Sequence, residues 1–458
     1  MDRPLLPTPA GTVSGSFRGR TPRVSVFRAV PVAETSDIGD PEPPTPWEGV
    51  LDCADTRERS MIQLPTTASV FAPADAEPAS LPVFVWIHGG RYEEGHGDDG
   101  WYDGGALAAL GCVVVTINHR LRYEGFLPLD GDAPGSFRGV DDLVHALRWI
   151  RETVAVVGGD PDWVTLAGQS AGGGLVMTLL ADRRADDLFQ QAMVLSPGLP
   201  RIHRILGWRA RRAAARVFLG VPLTRDRVSA LSARNRDLAY RRSAHLYFTD
   251  CALGPSFPDP AQLRQVPLLV STMHDEFVRF PGVIDLDRMI DRRNLPVWVL
   301  ALGMRWMGVR PRKLARWCRT VDQHRPMGQT VGEAMIRRWA AGLLEAAPGE
   351  DVWACEFRGG DWRGTRIDAQ HCGELPVLFD KLTVGPDMVA AVCGPDAVER
   401  LTATGQRFRA AVLGFLGGDG PGWDRYGEAR TTRIFDLTGG PDTEVDDPLR
   451  NVRTLLPV

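Results

Sequence analysis

Residues 163–180 read WVTLAGQSAGGGLVMTLL. Trp163 to Ala167 is a short apolar run with β-branched members, of the kind that fills a buried strand. Gly168-Gln169-Ser170-Ala171-Gly172 follows, and an apolar run of helix length comes directly after it. Strand, tight turn and helix are the context a G-x-S-x-G pattern needs: the serine stands at the tip of a strained turn, and flanking glycines keep side chains from colliding where strand meets helix. Ser170 Oγ is therefore expected to stand clear of a sheet, with the Ala171 amide directed at the oxygen of whatever carbonyl it attacks.

Outward from the elbow, the chain alternates strands and helices. Leu81 to Ile87 (LPVFVWI) and Cys112 to Ile117 (CVVVTI) are continuous apolar runs, as expected for strands buried on both faces. Trp101 to Leu110 can hold a short helix between them. From Val140, apolar residues recur at Leu143, Val144, Leu147 and Ile150, the one-face spacing of an amphipathic helix. Asp141 and Asp142 lie where negative charge suits the helix dipole. Further strands are expected at Gln191–Leu195, Val266–Ser271 and Val352–Phe357, the last clear one. This order predicts an α/β fold with a mainly parallel sheet covered on both sides. The alternation in residues 11–33 suggests small strands of an antiparallel edge, and Glu34 to Pro46 an extended loop. Residues 201–262 and 280–347 break the pattern with helix-like, arginine- and tryptophan-bearing segments, read as excursions that cap one edge of the sheet. The whole chain, 1–458, is read as one catalytic domain with an N-terminal small-strand region over 1–80.

Composition bounds the possibilities. With 44% hydrophobic and 24% charged residues, the chain can build a large core. A formal net charge of −4 argues against nucleic acid held by a general basic field, and the arginine run after residue 201 is read as solvated helix faces. No window has the apolar length of a membrane span, and no basic leader with an apolar run opens the sequence; no membrane partner is expected. Seven scattered cysteines without C-x-x-C spacing read as reduced thiols, hence a cytoplasmic address.

A serine is a poor nucleophile at neutral pH and needs a base, itself oriented by a third group. In an elbow fold the acid and then the histidine follow the serine. His371, in the loop AQHCGELP after the Val352–Phe357 strand, is the best-placed histidine; His203, His245 and His324 fit less well. The end of the Val266–Ser271 strand runs into His274-Asp275-Glu276, where position alone does not separate Asp275 from Glu276. The same cluster could be half a metal site, but no further ligand falls at a suitable spacing. For the oxyanion, Ala171 supplies one amide and His88-Gly89-Gly90-Arg91 a second, from Gly90 with Arg91 assisting.

These pieces together resemble the type-B carboxylesterase family of α/β-hydrolases, the group that includes bacterial nitrobenzyl esterases and the cholinesterases. FRAVPVA, VFVWIHGGRY, GGDPDWVTLAGQSAGG, AMVLSPG, VPLLVSTMHDEF and HCGELPVLF occur in the family's order between about residues 11 and 380. The resemblance implies an α/β-hydrolase fold with a helical cap, Ser170 as nucleophile, Glu276 rather than Asp275 as triad acid, and His371 as base. It implies oxyanion donors at Gly90, Arg91 and Ala171, a hydrogen bond from Ser196 to the acid, a small-molecule ester substrate, and no metal or organic cofactor. Three departures bear on specificity. Gln169 stands where most members carry glutamate, Arg91 where a glycine is expected, and Phe277 where a glycine follows the acid. If position 91 needs positive φ, an arginine there is strained, and its side chain could narrow the pocket or grip an acidic substrate. A lactone, carbamate or amide hydrolase uses the same triad, and a non-catalytic binding protein can share the fold.

Overall fold

The computed structural model describes residues 3–35, 38–54, 66–133, 135–201, 205–247 and 250–456; His203 lies outside them. The chain divides into two compact units, residues 1–193 with 199–262 and residues 194–198 with 263–458.

In the first unit the sheet runs Gly159–Gln169, Leu81–Ile87, Val113–Ile117, Thr66–Pro73, Val24–Thr35 and Ser16–Arg18. The first three strands are parallel, and the rest pair antiparallel, but Val24–Thr35 is twelve residues long rather than the small strand the N-terminal alternation suggested. Val83 to Ile87 are all fully buried, the condition under which a strand must be apolar on both faces. A separate small sheet joins Leu5–Thr8, Gly11–Ser14 and Val50–Asp52. The amphipathic helix spans Arg138–Thr153 and buries Val140, Leu143, Val144, Leu147 and Ile150 as its spacing required. Asp142 does more than face a dipole: it is fully buried and takes the Arg120 guanidinium at 2.6 Å. The expected helix over 101–110 is two single turns, Gly100–Tyr102 and Gly105–Ala108.

Helices Ile205–Leu219, Arg225–Ser229 and Ala233–Ala244 form the first of the two excursions. Its arginines are not all solvated, which corrects the sequence reading. Arg211 is buried and pairs with Asp250 at 2.9 Å, and buried Arg236 holds Glu124 at 2.8 Å. An arginine stem packs like an apolar chain while its head satisfies carbonyls and carboxylates.

In the second unit the strand order is Thr443–Asp446, Thr431–Asp436, Val352–Arg358, Leu268–Met273 and Gln191–Leu195, of which Val194 and Leu195 belong to this unit. Val352–Arg358 is parallel to both neighbours, and Thr443–Asp446 closes the edge antiparallel. Leu268–Met273 begins two residues later than expected because Pro267 has no N–H for the ladder. Val352–Arg358 is not the last strand: the hairpin Gly360–Trp362/Thr365–Ile367 and two sheet strands follow it. Those pieces are only three to six residues long and half polar, too short for a period to show. The second excursion is a series of helices joined by short turns, from Val283–Arg292 to Arg338–Ala346, around a core that includes Val297, Leu300, Met304, Met307 and Trp317. Among the described residues no helix is long and apolar enough to cross a membrane.

Candidate active site

The first unit gathers Ser170 and the expected oxyanion donors. Ser170 follows the Gly159–Gln169 strand with φ 56° and ψ −122°, and the helix Ala171–Leu179 starts immediately behind it. A non-glycine residue at positive φ costs about 1 kcal/mol or more, so the surrounding packing must enforce the turn. Gly172 shows how: a Cβ there would lie 2.1 Å from the Ile87 carbonyl oxygen. The elbow helix is pressed against the end of the Leu81–Ile87 strand, and only a residue without a side chain fits.

The loop after that strand packs on the elbow. A Cβ on Gly89 would sit 2.9 Å from the Gln169 carbonyl oxygen and 3.1 Å from Ser170 Cβ. Gly90 turns the chain at φ 114° and Arg91 continues at φ 58°, the left-handed conformation that would strain a non-glycine residue here. Among the described residues, the amides of Gly90, Arg91 and Ala171 donate to no protein acceptor. The Arg91 side chain turns to Asp250, whose carbonyl oxygen accepts from Nη2 at 2.7 Å, and its Nε lies 3.8 Å from Glu93. Beneath the loop, buried His88 and His119 stack with ring centroids 4.7 Å apart and planes 3° from parallel. Burial, with His119 adding, pushes His88 down to about 3, so this neutral pair supports the loop rather than exchanging protons. Nothing in the sequence period signals it. Gln169 is buried beside the same loop.

The second unit gathers Ser196, Glu276 and His371. Glu276 is buried at the end of the Leu268–Met273 strand, and its two oxygens divide the work. Oε2 accepts from His371 Nδ1 at 2.6 Å. Oε1 accepts from Ser196 Oγ at 2.8 Å and from the Met273 amide at 2.9 Å. The His371 amide donates to the Glu276 carbonyl at 3.0 Å, which pins the two loops together. Burial pulls the His371 pKa down, but the hydrogen bond and charge of Glu276, helped by Glu374, outweigh it and leave the pKa above the ordinary value. The Met273 amide escapes a reading of the sequence, because backbone donors carry no residue signature.

Asp275, one residue earlier, faces another way. Its carboxylate takes Arg325 at 3.0 Å, the Ala369 amide at 3.0 Å and His274 at 3.3 Å. Burial would raise its pKa, but His274, Arg325 and the Ala369 amide together hold it down at about 2. Phe277 lays its ring 4.7 Å from the His371 ring, at 38°, so the residue in place of glycine walls one face of the imidazole.

The fold is that of the α/β-hydrolases. The structure is similar to a solved PNB esterase with a TM-score of 0.77 at 26% identity, over 99% of this chain and 100% of that one. By sequence, residues 2–201 match the model of the carboxylesterase family. The para-nitrobenzyl esterase of Bacillus subtilis (strain 168) is 33% identical over 497 residues, covering 97% of this chain and 98% of that protein. A probable N-octanoylanthranilate hydrolase of Rhodococcus erythropolis is 38% identical over 192 residues, 40% of each chain. The chain belongs to the carboxylesterase family, and it is a serine carboxylic-ester hydrolase.

Proposed function

We propose that residues 1–458 act as one catalytic domain that hydrolyses small or medium carboxylic esters through an acyl-enzyme on Ser170. Ser170 Oγ attacks the ester carbonyl as His371 Nε2 takes its proton. The tetrahedral oxyanion is received by the amides of Gly90, Arg91 and Ala171. His371 then protonates the leaving alkoxide, and the alcohol departs. Water, deprotonated by the same imidazole, attacks the acyl-enzyme, and the acid leaves as Ser170 regains its proton. Glu276 fixes the His371 tautomer with Nδ1 protonated and stabilises the imidazolium, and Ser196 fixes Glu276. Gln169 keeps the elbow free of a buried negative charge.

The observation that carries this reading is the 2.6 Å hydrogen bond between Glu276 and His371, with the carboxylate's other oxygen saturated by two donors. An acid so held has one remaining task, which is to orient the imidazole. The test is fluorophosphonate labelling with peptide mapping, alongside turnover of p-nitrophenyl butyrate. Label on Ser170, lost together with turnover in Ser170→Ala, is the expected result; undiminished turnover in that variant removes the reading.

A second reading has its own support. The identity to a probable N-octanoylanthranilate hydrolase favours amide substrates carrying an aryl amine. Matched butyrate ester and butyryl anilide substrates separate the two by kcat/KM. The seven free cysteines, five of them buried, support a reducing, cytoplasmic setting. The helices of 201–262 and 280–347 are proposed as the cap that shapes the substrate pocket.

A further inference from the structure

The segment Val297–Leu300 and Ala301–Trp306 carries two apolar faces, one in the core and one largely exposed. Val297, Leu300, Met304 and Met307 point into the core of the second excursion and are at most 8% exposed. Trp298, Leu302 and Trp306, spaced by four and hence on one side of the turn, are 67%, 79% and 71% exposed. Val299 and Leu295, in and just before the same segment, are 41% and 36% exposed. Six of the sixteen exposed large hydrophobic residues among those described fall between 289 and 306, so this is a patch and not scatter. Contiguous exposed apolar surface of this kind marks a contact site.

The surrounding charge indicates what the contact is with. The chain is acidic overall, at −4, yet residues 292–321 hold eight Lys and Arg and no Asp or Glu. Arg292, Arg293, Arg305, Arg310, Arg312 and Arg316 are exposed, and none forms an ion pair among the described residues. Side chains exposed by two thirds or more project from the surface. A rigid protein partner would need pockets to match that row, whereas a fluid bilayer needs none. Tryptophan favours the headgroup level, leucine the acyl boundary, and arginine the lipid phosphates.

We propose that this face docks the enzyme on the surface of an anionic phospholipid membrane, with the Trp298–Leu302–Trp306 row inserted and the arginines on the headgroups. The expectation of no membrane partner rests on spanning lengths, which an interfacial helix does not need. The proposal is independent of which ester is cleaved.

The full chain is tested by co-sedimentation with phosphatidylcholine vesicles, with and without phosphatidylglycerol. Binding is expected to the anionic vesicles and to fall by about tenfold or more without phosphatidylglycerol, in high salt, or in the variant W298A/L302S/W306A. A cooperative urea-unfolding transition in the absence of lipid shows that the variant is folded. Should it not fold, quenching of wild-type tryptophan emission by brominated phosphatidylglycerol, and not by brominated phosphatidylcholine, decides the same question. The proposal is overturned if the wild type ignores anionic vesicles, if the folded variant binds them equally, or if the row instead holds a dimer that the variant splits and that does not bind lipid.

Discussion

Replacing Glu276 with glutamine tests the acid–imidazole pair with almost no change of shape. Oε1 accepts from the Met273 amide and from Ser196 Oγ, and the amide is a fixed donor, so the glutamine oxygen must occupy that side. Its NH2 then faces His371 Nδ1 across the 2.6 Å contact. An NH2 can only donate there, so Nδ1 becomes an acceptor and the imidazole proton moves to Nε2, the atom proposed to receive the serine proton. A wrong-tautomer substitution of this kind lowers kcat by about 10⁴-fold in serine proteases, equivalent to about 5.5 kcal/mol of barrier at 1.36 kcal/mol per decade. Loss of the charge also weakens three charge-assisted hydrogen bonds, at about 2–3 kcal/mol of stability in all. The assay is kcat on p-nitrophenyl butyrate, with urea unfolding on the same sample to show that the variant is folded. A folded Glu276→Gln enzyme retaining kcat within tenfold of wild type would show that the carboxylate does not set the imidazole tautomer.

Because His371 titrates above its ordinary value of 6.5 and must be neutral to act as the proposed base, kcat/KM should fall as pH drops through a value above 6.5. The same raised pKa adds stability that is complete below the unfolded value and is lost as pH rises through the folded one. The melting-temperature advantage of wild type over His371→Gln should therefore shrink toward alkaline pH. Ser196→Ala removes one of the two donors on Glu276 Oε1 and should lower stability by about 2 kcal/mol, read from urea midpoints. Gly172→Ala drives a Cβ to 2.1 Å from the Ile87 carbonyl; a loss of about 3 kcal/mol or failure to fold is expected, and a neutral effect would contradict the packing. Arg91→Gly relieves about 1 kcal/mol of left-handed strain and gives up a partly exposed bond to Asp250 worth about as much. Stability should move by less than about 1 kcal/mol, and hydrolysis should persist because the amide at 91 remains; its abolition would assign a role to the side chain.

Much of this is legible in the sequence wherever a physical requirement leaves a residue signature. The Leu81–Ile87 and Gln191–Leu195 strands fall where the apolar runs place them, because strands buried on both faces must be apolar throughout. The elbow is legible because glycine alone tolerates the approach at 172. The choice between Asp275 and Glu276 is not, since adjacent carboxylates differ only in which way the loop turns them. That direction depends on the Met273 amide, Arg325 and the Ala369 amide, which lie far apart in the chain or carry no side-chain label. The strands Thr431–Asp436 and Thr443–Asp446 leave no such trace, because short half-polar pieces look like loop until a neighbour pairs with them. The buried Arg211 and Arg236 look like surface residues because burial of a cation is decided by partners, not by its own chemistry.

The proposed chemistry depends on Ser170, served by His371 and Glu276, forming the covalent bond to the acyl group. A crystal structure of the enzyme after reaction with a butyl fluorophosphonate tests it most directly. Phosphorus should be bonded to Ser170 Oγ, with the phosphonyl oxygen within hydrogen-bonding distance of the Gly90, Arg91 and Ala171 amides and His371 Nε2 beside the Ser170 oxygen. Phosphorus on another side chain, or an imidazole at 371 beyond hydrogen-bonding reach of Ser170, would contradict it.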